Sequence, residues 1–141
     1  MQNSDDELRR VLTETKVIAL VGWSPNPDRP SHYVAAFLAG TGCRVIPINP
    51  GQAGKVTNGE IVRASLSDIT EPVDMVDIFR RSEEVGPVVE EALRVLPGLK
   101  TVWMQLGVEN AAAAALARAA GVTVVQNRCP AIEIPRLFDA E

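Results

Sequence analysis

The chain has 141 residues, 46% of them hydrophobic, a formal net charge of -4 and two cysteines. That length buries a continuous core without a metal or disulfide, the negative balance argues against gathering nucleic acid or anionic membrane by a long-range field, and two cysteines do not make a secreted disulfide scaffold. No apolar run approaches the roughly 20 residues that span a bilayer, and Met1 to Glu7 lack the basic and apolar regions of a secretion signal, so a cytoplasmic setting is expected.

Ser4-Asp5-Asp6-Glu7 has capping-box spacing ahead of Leu8, Val11 and Leu12, which predicts a lead-in helix within residues 1–16. Residues 17–138 are expected to form one domain, with 139–141 a short tail. Buried strands are predicted over Val17 to Val21, Arg44 to Ile48, Val73 to Phe79, Thr101 to Met104 and Val122 to Val125. Helices are predicted between them, over Ser31 to Ala39, Val85 to Leu96 and Glu109 to Ala120, with Ser31 as an N-cap and Gly40 or Gly42 closing the first. Gln52 to Asp68, punctuated by glycines, is expected to be a loop carrying at most a small edge element. Strand and helix in alternation imply right-handed crossovers and an α/β fold, a Rossmann-like open parallel sheet with helices on both faces.

In such a sheet ligands bind where the chain leaves the C-terminal ends of the strands. The first exit, Gly22-Trp23-Ser24-Pro25-Asn26-Pro27-Asp28-Arg29-Pro30-Ser31, is rigid, polar and basic. Gly22 permits a tight turn and a close backbone approach, Ser24 supplies a hydroxyl, Arg29 a forked cation for phosphate, and the prolines lower the ordering cost of binding. A stiff turn with solvated side chains is the plainer account of the same residues. The pattern departs from GxGxxG, and Asn49-Pro50 stands where a nicotinamide dinucleotide fold commonly carries an acid for the ribose, which counts against NAD. There is no GxxxxGK[ST] either.

The third exit, Asp77-Ile78-Phe79-Arg80-Arg81-Ser82, places Phe79 and two arginines on the same edge, with Asp77 and the arginines as a possible surface pair. Gln105 and Asn110 follow the fourth strand and can orient amides or hydroxyls. Asn127-Arg128-Cys129-Pro130 follows the fifth, where Cys129 is a candidate nucleophile or simply a buried small residue. His32 is the sole histidine, and no Cys/His spacing suggests a metal site.

These segments, in this order, resemble the small stand-alone CoA-binding proteins, related to the CoA-binding domain of the succinyl-CoA ligase alpha subunit. The resemblance runs from Gly22-Trp23-Ser24 and Arg29-Pro30-Ser31 through Val45-Ile46-Pro47-Ile48-Asn49-Pro50, Pro72 to Ser82, Trp103-Met104-Gln105-Leu106-Gly107 and Asn127-Arg128-Cys129, covering roughly Val17 to Leu137. It implies CoA or a short acyl-CoA as ligand, with Gly22, Trp23, Ser24, Arg29 and Ser31 near its phosphates, Asn49 and Pro50 lining the neighbouring crevice, and Phe79, Arg80 and Arg81 facing it. It implies only the CoA-holding portion of the ligase, so His32 inherits no phosphorylated-histidine role. The expected function is a non-catalytic carrier, sensor or regulatory module for CoA. The alternatives are a CoA-dependent acyl-transfer or redox enzyme using Cys129, and a module whose protein partner reads the ligand-bound surface.

Overall fold

The computed structural model describes residues 3–138. Five parallel strands form the sheet: β1 (Val17–Val21), β2 (Arg44–Ile48), β5 (Met75–Ile78), β6 (Thr101–Met104) and β7 (Thr123–Val125), in spatial order β2-β1-β5-β6-β7. Helix α2 (Pro30–Gly40) connects β1 to β2, whereas α3 (Val85–Val95) and α4 (Ala111–Ala119) carry the chain away in the opposite direction through β5, β6 and β7. Right-handed crossovers that run in opposite directions put their helices on opposite faces. The reversal lies between β1 and β5, and the crevice a parallel sheet offers to ligands opens there, beyond Val21 and Ile78.

Strand alternation divides the core between the two faces. Ala19, Val21, Ile46, Ile48, Val76, Ile78, Val102 and Met104 pack with Val85, Val89 and Ala92 of α3 and Ala113, Ala114 and Ala117 of α4. Ile18, Leu20, Val45, Met75, Trp103 and Val125 face the other way, onto Val34, Ala35 and Leu38 of α2 and onto α1 (Asp5–Glu14) and α5 (Pro130–Phe138) through Leu8, Val11 and Leu137. The lead-in helix is capped as its spacing predicts, with Ser4 Oγ accepting from Glu7 N at 3.1 Å. It is bound to α5 by Arg136, which reaches Asp5 at 2.8 Å and Glu133 at 2.7 Å. Among the described residues no helix is long and apolar enough to cross a membrane.

Several local expectations are corrected. Ser31 is not the N-cap of α2; the helix starts at Pro30, with Arg29 in the cap position and no side-chain cap bond. Pro30 at the first helical position explains the shift, because its fixed φ suits a helix start and it has no N–H to satisfy. The small element expected within residues 52–68 is present as an antiparallel hairpin, β3 (Val56–Thr57) and β4 (Glu60–Ile61), turning through Asn58 and Gly59 at φ 50° and 78°. Arg44 and Arg63 tie this excursion down through Glu60 and Glu71, with Arg44 at 2.6 Å from each and Arg63 at 2.8 Å from Glu71. Helix α5 was not among the expected elements; Pro130 begins it and Pro135 lies within it.

Candidate functional site

The turn after β1 is braced before any ligand is considered. Gly22 N and Trp23 N both donate to Ile48 O, at 3.0 and 3.2 Å, which ties the turn to the end of β2. Gly22 sits at φ 92°, and a Cβ there would collide with the carbonyl oxygen of Phe79. The close approach that this glycine permits in the structure is to the backbone leaving β5. Beyond it, Asn26 N donates to Ser24 Oγ at 3.1 Å and Asp28 N to Asn26 Oδ1 at 3.0 Å, short local turns that hold the proline-rich stretch in shape. His32 donates through Nδ1 to Ser24 O at 2.9 Å and lies 5.6 Å, ring to ring, from Trp23. Asn49 spends both ends of its amide on the same scaffold, donating to Trp23 O at 2.6 Å and accepting from Gly51 N at 2.8 Å.

Charge is distributed unevenly over this edge. Arg80 and Arg81 both grip Glu84, at 2.7 Å each, and these bonds, Arg81's first and then Arg80's, hold the Glu84 carboxyl below the usual carboxylate range. Arg29 is exposed and has no such acidic partner among the described residues. An arriving anion meets Arg29 without competition and has to share Arg80 and Arg81 with Glu84.

Asp77 does not belong to the surface group that the sequence suggested. It lies within β5, with Leu20 and Trp103 as its register partners, and it is fully buried. Neither carboxylate oxygen has a hydrogen-bond partner, and burial pushes its carboxyl well above the ordinary range. The apolar residues around it made an internal position legible; its polarity argued for the surface and misled.

The remaining strand ends complete a cavity of about 760 Å³ across the C-terminal edge of the sheet, within the range of small-molecule sites. Gly22, Trp23, Ser24, Arg29, Ser31, Asn49, Phe79, Arg80 and Arg81 line it, and so do Gln105 and Cys129. Pro50 lies outside it, in an adjoining cavity of about 430 Å³ that shares Gly22, Asn49, Phe79 and Arg80 with the first. Two lining groups are buried without partners: Trp23 Nε1, which can only donate, and Gln105 Oε1, which can only accept. Asn110 is occupied elsewhere; it caps α4 by accepting from Ala113 N at 2.9 Å and donates to Ser82 O at 2.9 Å.

The model of the CoA binding domain matches residues 16–135 of the chain. The chain belongs to this CoA-binding domain family. Among its relatives, the uncharacterised protein YneT of Bacillus subtilis (strain 168) is 37% identical over 130 residues, covering 92% of this chain and 93% of YneT. A solved structure of a Thermus thermophilus protein superposes with a TM-score of 0.90 at 38% identity, covering 96% of this chain and 100% of that one. A hypothetical protein from Pyrococcus horikoshii OT3 gives 0.89 at 36% identity, covering 96% and 93%.

The cavity fits the family's ligand chemically. CoA joins a phosphorylated nucleotide to a pantetheine arm containing two secondary amides, each with one donor and one acceptor. An unopposed arginine at one wall meets the first requirement. The wall of Phe79, Val108 and Ala131 gives the second an apolar surface to lie along.

Proposed function

We propose that the protein reversibly binds CoA or a short acyl-CoA in the larger cavity and acts as a carrier, sensor or regulatory module without transforming it. The observation that carries this reading is the continuous cavity running from Arg29 to Cys129 across the strand ends, with an exposed arginine that no acidic partner engages at its mouth. The pyrophosphate lies at the turn from Gly22 to Ser31, over the uncapped start of α2, where aligned peptide dipoles favour an anion. Arg29 compensates its charge, Arg80 contributes as it is drawn from Glu84, and the pantetheine arm follows the wall of Phe79, Val108 and Ala131. Kinship to the CoA-holding domain of the succinyl-CoA ligase alpha subunit belongs to the same proposal.

Binding without catalysis is supported by the way the polar groups around the cavity are used. His32, the sole histidine, holds Ser24 and packs on Trp23, and the Asn49 amide is committed to the turn. Mass spectrometry of the gently purified protein tests the reading. A retained CoA or short acyl-CoA is the expected species, and its thioester should persist on prolonged incubation with the protein. Retained NADP in place of CoA, or steady consumption of the thioester, would overturn it.

A further inference from the structure

A second cavity, of about 270 Å³, lies toward the opposite end of the strands from the large one. Three helices enclose it on the face of the sheet that carries α2: Leu12 of α1, Leu38 of α2 and Ile134 of α5 line it, over Ile18 of β1 and Met75 of β5. Its floor is buried, with Ile18 2%, Leu38 1% and Met75 0% exposed. Its mouth is open, because Lys16, Thr41, Gly42 and Phe138 are exposed. The opening has a local cause. Helix α2 stops at Gly40 and the chain turns through Gly42, where no heavy atom lies within 4 Å of the place a Cβ would take.

Polar groups in this wall are already engaged with the backbone. Thr15 Oγ1 donates to Val11 O and Thr41 Oγ1 to Leu38 O, at 2.6 Å each, and Cys43 Sγ donates to Thr15 O at 3.6 Å. What remains is a largely apolar lining, and such a cavity favours an apolar guest over water, which needs polar partners to stay. The exception stands at the mouth. Among the described residues the Lys16 ammonium has no carboxylate partner. Glu14 is held by Arg10 at 3.3 Å. Asp74 accepts from the backbone N–H groups of Lys16 and Val17 at 2.9 Å each and lies 3.8 Å from Lys100. A buried apolar floor beneath an unpaired cation suits a ligand with an alkyl tail and an anionic head.

We propose that this cavity is a binding site for an unbranched alkyl monocarboxylate, its chain lying among Leu12, Leu38, Met75 and Ile134 and its carboxylate meeting Lys16. With roughly 30 Å³ for each methylene-sized group, as for a water molecule in the liquid, the cavity holds a chain of about eight carbons. It is too small for a second nucleotide, falling short of the ~300 Å³ at which drug-sized sites begin. Helices α2 and α5 wall both cavities, with Val34 and Ala131 on the large one and Leu38 and Ile134 on this one, yet the two have no lining residue in common. The carboxylate site therefore stands whether or not the larger cavity takes CoA.

Titration calorimetry of the full chain with octanoate tests the site, with octanol and octylamine as comparisons of the same length. One octanoate should bind per chain, a few-fold more tightly than the alcohol, as expected of an exposed charge pair, and the amine should bind most weakly. Affinity should rise about fourfold for each methylene added between butyrate and octanoate, the gain from burying one such group. Lys16→Gln, at an exposed position, should bring acid and alcohol to equal affinity, and Ile134→Trp, which fills the cavity, should abolish binding of both. The two cysteines report the place, since Cys43 lines this cavity and Cys129 the large one. Octanoate should slow alkylation of Cys43 and leave that of Cys129 unchanged in peptide mapping. No saturable binding of octanoate, equal affinity of the wild type for acid, alcohol and amine, or protection of Cys129 in place of Cys43 would overturn the proposal. So would undiminished octanoate binding by a folded Ile134→Trp variant. A CoA titration of the same protein is a separate measurement, and its failure would leave this site standing.

Discussion

Arg29 and Asp77 stand at opposite extremes of solvation, and each leads to a distinct expectation. The guanidinium of Arg29 is exposed and lies at the mouth of the cavity, so little of the fold rests on its charge. Arg29→Ala should leave the melting temperature nearly unchanged and weaken CoA binding by roughly ten- to a hundredfold, the range for a lost charge-assisted hydrogen bond; equal CoA affinity in the variant would remove Arg29 from the site. Asp77 has no partner to offset its burial, so its carboxyl binds a proton more tightly in the folded chain than in the unfolded one. Its contribution to stability is then fully present below the unfolded pKa of about 3.9 and is lost as pH rises toward the higher folded value. Asp77→Asn keeps the shape and cannot ionise. Urea denaturation should find it more stable than the wild type at pH 7, with the gain shrinking toward zero at pH 3. A variant equally destabilised at both pH values would mean that Asp77 has a hydrogen-bonding role that the amide cannot fill.

At the scale of elements, the segment joining β5 to α3 sets the electrostatics of the site. Ser82–Glu84 forms a single 3-10 turn ahead of α3 and presents Glu84 back to Arg80 and Arg81. A phosphate drawing on these arginines has to displace a carboxylate already in place. Glu84→Gln removes that competitor and should raise CoA affinity a few-fold, more at low salt than at high, because these are exposed charges screened by ions. A fall in affinity in the calorimeter would mean that Glu84 positions the arginines productively. The hairpin from β3 to β4 and helix α5 show how sequence patterns fail at this scale. Asn58-Gly59 is a strong hairpin turn, but its strands are two residues each, too short for alternation to register. In α5, the apolar residues Ile134 and Leu137 have helical spacing, with Pro135 between them. Proline forbids a helix interior far more than a helix start, and Pro130 occupies the start.

For the molecule as a whole, the sheet was legible because a parallel sheet covered on both faces demands continuous apolar runs, and β1, β2, β5, β6 and β7 each show one. The arrangement of strand ends was legible for the same reason, since once the sheet is parallel the exits from β1, β5, β6 and β7 share an edge. Which polar groups remain free at that edge was not. Asn49, Asn110 and His32 look as capable of meeting a ligand as Gln105 does, yet the first three are consumed by contacts to Trp23 O, Ser82 O and Ser24 O. Those partners are backbone carbonyls, two of them more than 20 residues away, set by the fold and invisible to residue type. The burial of Asp77 was hidden likewise, because only the register with Leu20 and Trp103 reveals it. The central claim is that the cavity on this edge is a CoA site. Titration calorimetry of the folded, ligand-free protein against CoA, dephospho-CoA and NADP tests it most directly. The account predicts saturable binding of one CoA per chain, tighter than NADP; an absence of CoA binding, or a preference for NADP, would contradict it.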